Sequence, residues 1–451
     1  GDVYKRQGRY DLVSQFIEGG QDIKPWLVAQ GAIFDYSEQS TLIGCLWQRE
    51  NAPVGGVVDG VEYSSKWGAY FAVPYNTMAT ANEANKVMLR TTANELIVED
   101  GKVTGVKATQ YDGTEVTMHA TKGVILACGD YSSNQEMLDY YAPDTKGFSL
   151  FTDFRDGSAL VAGMNAGAIM TPHTHTKMIH GEPAAVRLEM PFLFVDQEGN
   201  RFMDETCCRM GYMNNFARPY LAKAGFTDST AAKFFSLVPA NWESFYEEWK
   251  AASPYDISQY NGDNKVNPEK WITADTIEGL AEAMNAYAAE NDWKLTNIDA
   301  AALADTVARY NELCAKGCDD DFGVAGSDMA AIDTPPFLCI KGDVGMSGIN
   351  AGVMVDNRYR VIDTEGAPIP GLYAAGIQAG NPCGGINWSM PGGFSNSHIF
   401  TAGRYTVIHA LTGDMTPAHP ASFEDLADSF VGEDGGYAWD SPLCATAITV
   451  W

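Results

Sequence analysis

The chain has 451 residues, 45% of them hydrophobic and 20% charged, which is enough for two or three domains with a sizeable core. Its formal net charge of −28 argues against nucleic acid or an anionic membrane surface as partner. No apolar run approaches the length of a membrane span, and no signal peptide is visible. Nine cysteines are scattered through the chain. Cys207 and Cys208 are adjacent, and Cys314 and Cys318 form CxxxC. Neither spacing fits zinc or a disulfide framework, so free thiols are expected.

Gly1 to Gln7 read as a sequencing or cloning scar and are set aside. Asp11 to Gly31 has helical spacing. Val87 to Val98 and Lys102 to Gln110 read as strands joined by Glu99-Asp100-Gly101, a turn with hairpin chemistry. Val116 to Ala120 follows, then Gly123 to Gly129, a continuous apolar run expected as a buried parallel strand with a glycine stop. Asp153 to Gly157 precedes a helix, Ser158 to Ala166, for which Asp156 is a local cap candidate. Thr171 to about Pro335 reads as an inserted second domain. His173, His175 and His180 lack a carboxylate or cysteine at ligand spacing, so no metal is expected there. Arg187 to Glu205 reads as a hairpin, and Asn241 to Lys250, Ile277 to Ala286 and Leu303 to Cys314 as surface helices. Asp319-Asp320-Asp321 lacks the alternating ligands and distal glutamate of a calcium loop.

Thr334 to Phe337 is expected to return the chain to its first sheet. Gly352 to Asp356 and Arg360 to Asp363 form a further hairpin. Gly371 to Gly376 is a short strand ending on small residues, which lets another group approach its carboxyl end. A glycine-rich crossing to Ser397 leads into a helix from His398 to Leu411, with Ser395 or Asn396 as N-cap. Strand, glycine loop and helix N-terminus together offer N–H groups and a positive dipole end to an electron-rich ligand. The tail from Thr412 is polar and ends in apolar residues without a readable function.

These motifs resemble the flavoprotein family of fumarate reductase and succinate dehydrogenase, which also holds ketosteroid dehydrogenases and enone reductases of gut bacteria. The family's IPGLYAAGE, VILATGG, TGDG…GA, VNxxGxRFxNE and GGLxvD segments have counterparts at 369–377, 124–129, 155–168, 195–205 and 352–356. The resemblance implies an α/β fold: a doubly wound, Rossmann-like FAD-binding domain with an inserted α+β capping domain. The first FAD portion would cover 8–170, the capping domain 171–335 and the second FAD portion 336–412, with 413–451 as a tail. Members open on G-x-G-x-x-G, which is missing here, so the first βαβ portion is expected to be cut off and FAD binding to be weak. The implied FAD contacts are Cys128, Gly129, Asp156, Gly157, Ala375, Gly376, Ile377, Gly392, Gly393, Ser395 and Asn396.

The family moves a hydride between flavin N5 and a carbon–carbon bond beside an activating group. This chain departs from the fumarate set. The expected clamp histidine falls at about Ser347, and the clamp arginine at Trp388 or Met390. A pocket built this way prefers a larger, less charged substrate, such as an enone or another α,β-unsaturated compound. Proton-delivery candidates are Arg187, Glu205 and Arg209, although Glu205 and Arg209 also suit a structural salt bridge. A dehydrogenase running in reverse and a non-catalytic FAD-fold subunit are the alternatives. The electron donor is left open, as is location in the cytoplasm or the envelope of a bacterium.

Overall fold

The computed structural model describes residues 10–34, 53–63, 66–145, 149–150, 154–171, 176–180, 192–205, 233–245, 247, 268–380 and 394–414. In chain order the elements begin with α1 (Tyr10–Ala29), β1 (Ala32–Phe34), β2 (Pro53–Val58), β3 (Val61–Tyr63) and α2 (Lys66–Ala81). Next come β4 (Thr91–Glu99), β5 (Lys102–Gln110), β6 (Glu115–His119), β7 (Val124–Leu126), α3 (Gln135–Tyr141), β8 (Ser149–Leu150), α4 (Ser158–Asn165) and β9 (Thr176–His180). They continue with β10 (Leu193–Val195), β11 (Lys233–Val238), β12 (Ile272–Ala274), α5 (Ile277–Glu290) and α6 (Ala300–Lys316). The last are β13 (Phe337–Ile349), β14 (Arg360–Ile362), β15 (Pro368–Ala374) and α7 (Phe394–Thr412). Among the described residues no helix is long and apolar enough to cross a membrane.

The chain divides into two compact units. One takes in 1–131, 155–175 and 349–451; the other takes in 132–154 and 176–348. In the first, β4, β5 and β6 form an antiparallel sheet. Asp100 and Gly101 both have positive φ (53° and 76°), the two-residue turn whose twist matches the flanking strands. Asp59 and Gly60 join β2 to β3 in the same way (50° and 80°), from a dipeptide with the same signature. The strand expected from Val87 starts only at Thr91, because Arg90 takes a left-handed conformation (φ 51°) and Leu89 is exposed.

A second sheet of this unit has the order β14-β15-β7. β15 runs parallel to β7, with Leu372, Tyr373 and Ala374 opposite Val124, Ile125 and Leu126. The two apolar strands singled out in the sequence are therefore neighbours, and their carboxyl ends finish side by side.

The other unit is built on the sheet β10-β11-β13-β12, with β8 and β9 also pairing to β13. α5 and α6 supply much of its core: Leu280, Met284, Leu303, Val307, Tyr310 and Leu313 pack with Leu193, Val195, Phe235, Leu237 and Cys339. Both helices start on side-chain caps, Thr276 accepting from the Gly279 N–H and Asp299 from that of Ala302, and α6 stops on left-handed Gly317 (φ 77°). The segment from Phe337 does not return to the first sheet as expected. It continues as the thirteen-residue β13 and pairs with β11 and β12. Its glycines hid it as a strand. Gly342 faces Phe234 across the ladder, and a Cβ there would sit 2.5 Å from the aromatic ring.

Candidate functional site

The first constellation lies where β7 and β15 end. Leu126 is buried, but the next two residues, Ala127 and Cys128, are exposed. The ladder runs one bond further, from the Ala375 N–H to the Leu126 carbonyl (3.0 Å). The Cys128 N–H then turns to the side chain of Gln378, donating to Oε1 at 2.6 Å. Gln378 is 1% exposed, and its own carbonyl accepts from the Val353 N–H (3.0 Å). One glutamine thus ties together the ends of both parallel strands and the segment before β14. Gly352 completes this contact, because a Cβ there would meet the Gln378 carbonyl oxygen at 2.2 Å.

Asp130, two residues beyond Cys128, is buried. Its Oδ2 accepts from the Arg155 guanidinium (3.2 Å) and from the Ile349 N–H (2.9 Å). A sequestered carboxylate requires such partners. Arg155 lies across Gly129 (φ 84°), its Cδ 3.6 Å from where a Cβ would stand. Gly157 (φ 73°) occupies the N-cap position of α4 without a side-chain cap bond, so the cap is not Asp156; its carboxylate accepts instead from the Ser158 N–H (2.9 Å). Gly376 (φ 64°) follows β15, and the side chain of Ile399 on α7 lies 3.5 Å from its missing Cβ. Ile377 is half-buried.

α7 begins at Phe394, earlier than the sequence pattern implied. Ser395 and Asn396 are therefore inside its first turn and are not its N-cap. The helix still leaves first-turn N–H groups without intrahelical partners at that end.

The second constellation belongs to the other unit. Asp196 accepts from the N–H groups of Glu198 and Asn200, shaping the turn after β10, with Gly199 at φ 92°. Arg201 follows. Its Nε and one terminal nitrogen grip the two oxygens of Glu205 (2.8 and 2.7 Å), and the same terminal nitrogen reaches Asp319 (2.8 Å). The Phe194 N–H also donates to Glu205. Asp319 accepts the N–H groups of Asp321, Phe322 and Val324. The rings of Tyr310 and Phe322 lie 5.1 and 4.8 Å from the guanidinium carbon. Burial pushes the Glu205 carboxyl up against the pull of Arg201. Burial also acts to raise Asp319, but the bonds from Arg201 and the loop N–H groups outweigh it and hold that carboxyl below its ordinary range. Both Glu205 oxygens are engaged in a fork with Arg201, so this carboxylate positions a hairpin.

The first constellation therefore brings together Cys128, Gly129, Ala375 and Gly376, with Asp156 and Gly157 beside Arg155. Ser347 lies in β13 and belongs to the other unit, and Glu205 also belongs to that unit. Arg187, Arg209, Trp388, Met390, Gly392 and Gly393 lie outside the described residues, as do the side chain of Ser395 and residues His173 and His175. Sequence reasoning missed Asp130 and Gln378. Only Asp130, directly after a strand that stops on glycine, carried any local signal.

A family model described as "FAD binding domain" matches residues 4–395. The chain belongs to this family. It is 27% identical over 396 residues to the NADH:acrylate oxidoreductase of Vibrio harveyi, covering 84% of this chain and 35% of that protein. It is 26% identical over 415 residues to the urocanate reductase of Eggerthella lenta, covering 88% of this chain and 61% of that protein. The chain thus spans only part of these relatives. In fold it is similar to a flavocytochrome c3 fumarate reductase in its open conformation, with a TM-score of 0.60, 23% identity, and coverage of 90% and 65% of the two chains.

The family's cofactor is FAD, and the first constellation fits it. Exposed Ala127 and Cys128 directly after buried Leu126 leave room at the carboxyl end of β7, where ligands bind in open parallel sheets. Gly129 and Gly376 permit close approach of the backbone, and α7 is a helix that can present its positive end to a ring that becomes anionic on reduction. The resemblance read from the sequence and the family match agree.

Proposed function

We propose that this chain is a flavin-dependent oxidoreductase of an activated carbon–carbon double bond, with an enone or another α,β-unsaturated compound as substrate. The junction of β7 and β15 is the observation that supports it, because it places small residues where a flat ring needs access. When bound, FAD supplies two-electron hydride chemistry for one alkene carbon. The protein's part is to hold the ring, seat the alkene and deliver a proton to the neighbouring carbon.

Cys128, Gly129, Ala375, Gly376 and Ile377 line the ring side in this reading, and Asp130 and Arg155 fix the loop after β7. Gly392, Gly393, Ser395 and Asn396 would complete the cradle at the start of α7. Ser347, Trp388 and Met390 would line an uncharged substrate pocket, and Arg187 and Arg209 are the candidates for proton delivery, with Glu205 positioning the hairpin that leads to them. The doubly wound arrangement of the FAD domain and the capping role of the inserted domain belong to the same proposal.

The test is anaerobic. Protein carrying reduced flavin is mixed with an enone, a cinnamate-type acid and fumarate in turn, and reoxidation is followed by absorbance. Rapid reoxidation by the first two is expected. Fumarate turnover at about ten per second, an ordinary enzymatic rate, would overturn the substrate assignment. Reduction of the oxidised flavin by a saturated ketone, with no reoxidation by any alkene, would reverse the direction.

A further inference from the structure

We propose that the Asn350 carboxamide is the side chain that hydrogen-bonds the pyrimidine edge of the flavin ring, where an N–H stands beside a carbonyl. Asn350 is 2% exposed, and among the described residues neither Nδ2 nor Oδ1 has a hydrogen-bond partner. A buried amide with both functions unmet is costly, so it calls for a partner beyond the described residues.

Its position is fixed from both sides. The Ile349 N–H is held by Asp130. The Gly352 N–H donates to the Thr171 hydroxyl (3.2 Å), the Thr171 N–H donates back to the Gly352 carbonyl (2.8 Å), and Val353 is bonded to Gln378. Asp130 and Gln378 are the residues that close the ends of β7 and β15. Asn350 is thus anchored, through its backbone neighbours, at the junction assigned to the flavin.

The other unit shows what such an amide grips. Asn285 donates to the Ile298 carbonyl (2.8 Å) and accepts from the Ile298 N–H (2.9 Å). Asn311 does the same with Ile332, at 3.0 and 2.7 Å. In both cases one carboxamide takes a neighbouring N–H and C=O together. The flavin pyrimidine edge presents that pair, N3–H flanked by two carbonyls, and Asn350 has the complementary donor and acceptor. The inference rests on FAD as the cofactor and adds the residue that reads the ring.

Apo-protein is titrated with FAD, followed by fluorescence, and melted without FAD, for wild type and Asn350→Leu. FAD affinity is expected to fall about tenfold in the variant, a loss of the size one such hydrogen bond explains. The apo melting temperature is expected to hold or rise, because an unmet amide has been replaced by a hydrocarbon of similar size. FAD methylated at N3 sharpens the assignment: it should bind wild type more weakly than FAD does, yet bind the variant no worse. Should Asn350→Leu not fold, Asn350→Ala carries the same comparison. A variant that binds FAD as wild type does, so that the amide serves a buried water only, would overturn the proposal. Wild type that takes up no FAD would sink the cofactor reading itself, and this inference with it.

Discussion

Two buried polar clusters among the described residues are finished to different degrees. Around Arg201 the protein supplies nearly every partner: both Glu205 oxygens, the Asp319 carboxylate and four backbone N–H groups are satisfied internally. At the ends of β7 and β15 it stops short. Asp130 and Gln378 are bonded, but the Asn350 amide is unmet among the described residues, and Ala127 and Cys128 are exposed. A network of paired charges stabilises a fold; an amide with both atoms unmet at a strand end suits a ligand. Charge alone would have pointed to the wrong cluster, because in the most heavily charged group of residues every charged side chain is paired and one Arg201 nitrogen, Nη1, is left without a partner among the described residues.

The largest effect that separates the two is expected from Arg201→Met. It leaves Glu205 and Asp319 buried together without their cation, and breaking a buried pair in this way costs about 3–5 kcal/mol. Urea titration should show a loss of that size. Removing all three charges together, with Arg201→Met, Glu205→Leu and Asp319→Leu, should recover much of it. If the single substitution costs less than about 1 kcal/mol, in the range of an exposed pair, the cluster is not structural.

Acid should reach the two units at different pH. In the first, burial pushes the His398 imidazole on α7 down to about 4. A group depressed in the folded state favours folding above its unfolded value, near 6.5, and that contribution is lost as pH falls toward about 4. The full loss is about 3 kcal/mol. Asp319 is also held low, so its contribution persists to lower pH, below the ordinary carboxylate value of 3.8. Stability measured by urea between pH 7 and 4.5 should therefore decline in wild type and decline less in His398→Leu. An equal slope in both proteins would show that the imidazole does not carry the effect.

What the sequence revealed divides along the same line. The hairpin of β4 and β5 was legible because Asp100-Gly101 decides it within two residues. The runs that became β7 and β15 were legible as apolar strands, and the resemblance to FAD enzymes tied them to one site. Their register was not, since nothing local states which strands pair. Arg155 with Asp130, and Arg201 with Asp319, are side-chain meetings between segments distant in sequence, with no periodicity to announce them. β13 was missed because its strand character depends on Phe234 filling the space over Gly342, a tertiary fact.

The smallest effect concerns how α7 is carried to the flavin unit's site. Gly19 on α1 faces α7, where a Cβ would stand 2.1 Å from the Tyr405 ring and 2.8 Å from the Thr401 methyl. Gly19 sits within a helix, so alanine there gains from propensity by about 1 kcal/mol in an exposed position. Here the overlap should win. Tyr405 is buried at 4% and Thr401 at 0%, so neither can swing aside without opening the packing. Overpacking of this kind costs about 1–3 kcal/mol, and part of the helix gain offsets it. Gly19→Ala should thus lower the melting temperature modestly, by less than Arg201→Met. It should also weaken FAD binding, because α7 must move away from α1 and its Ile399 contact with Gly376 shifts with it. Tyr405→Ala in the same chain should relieve the overlap and restore FAD affinity to that of Tyr405→Ala alone. A Gly19→Ala protein with unaltered melting and unaltered FAD binding would mean that the α1–α7 approach does not set the position of the helix.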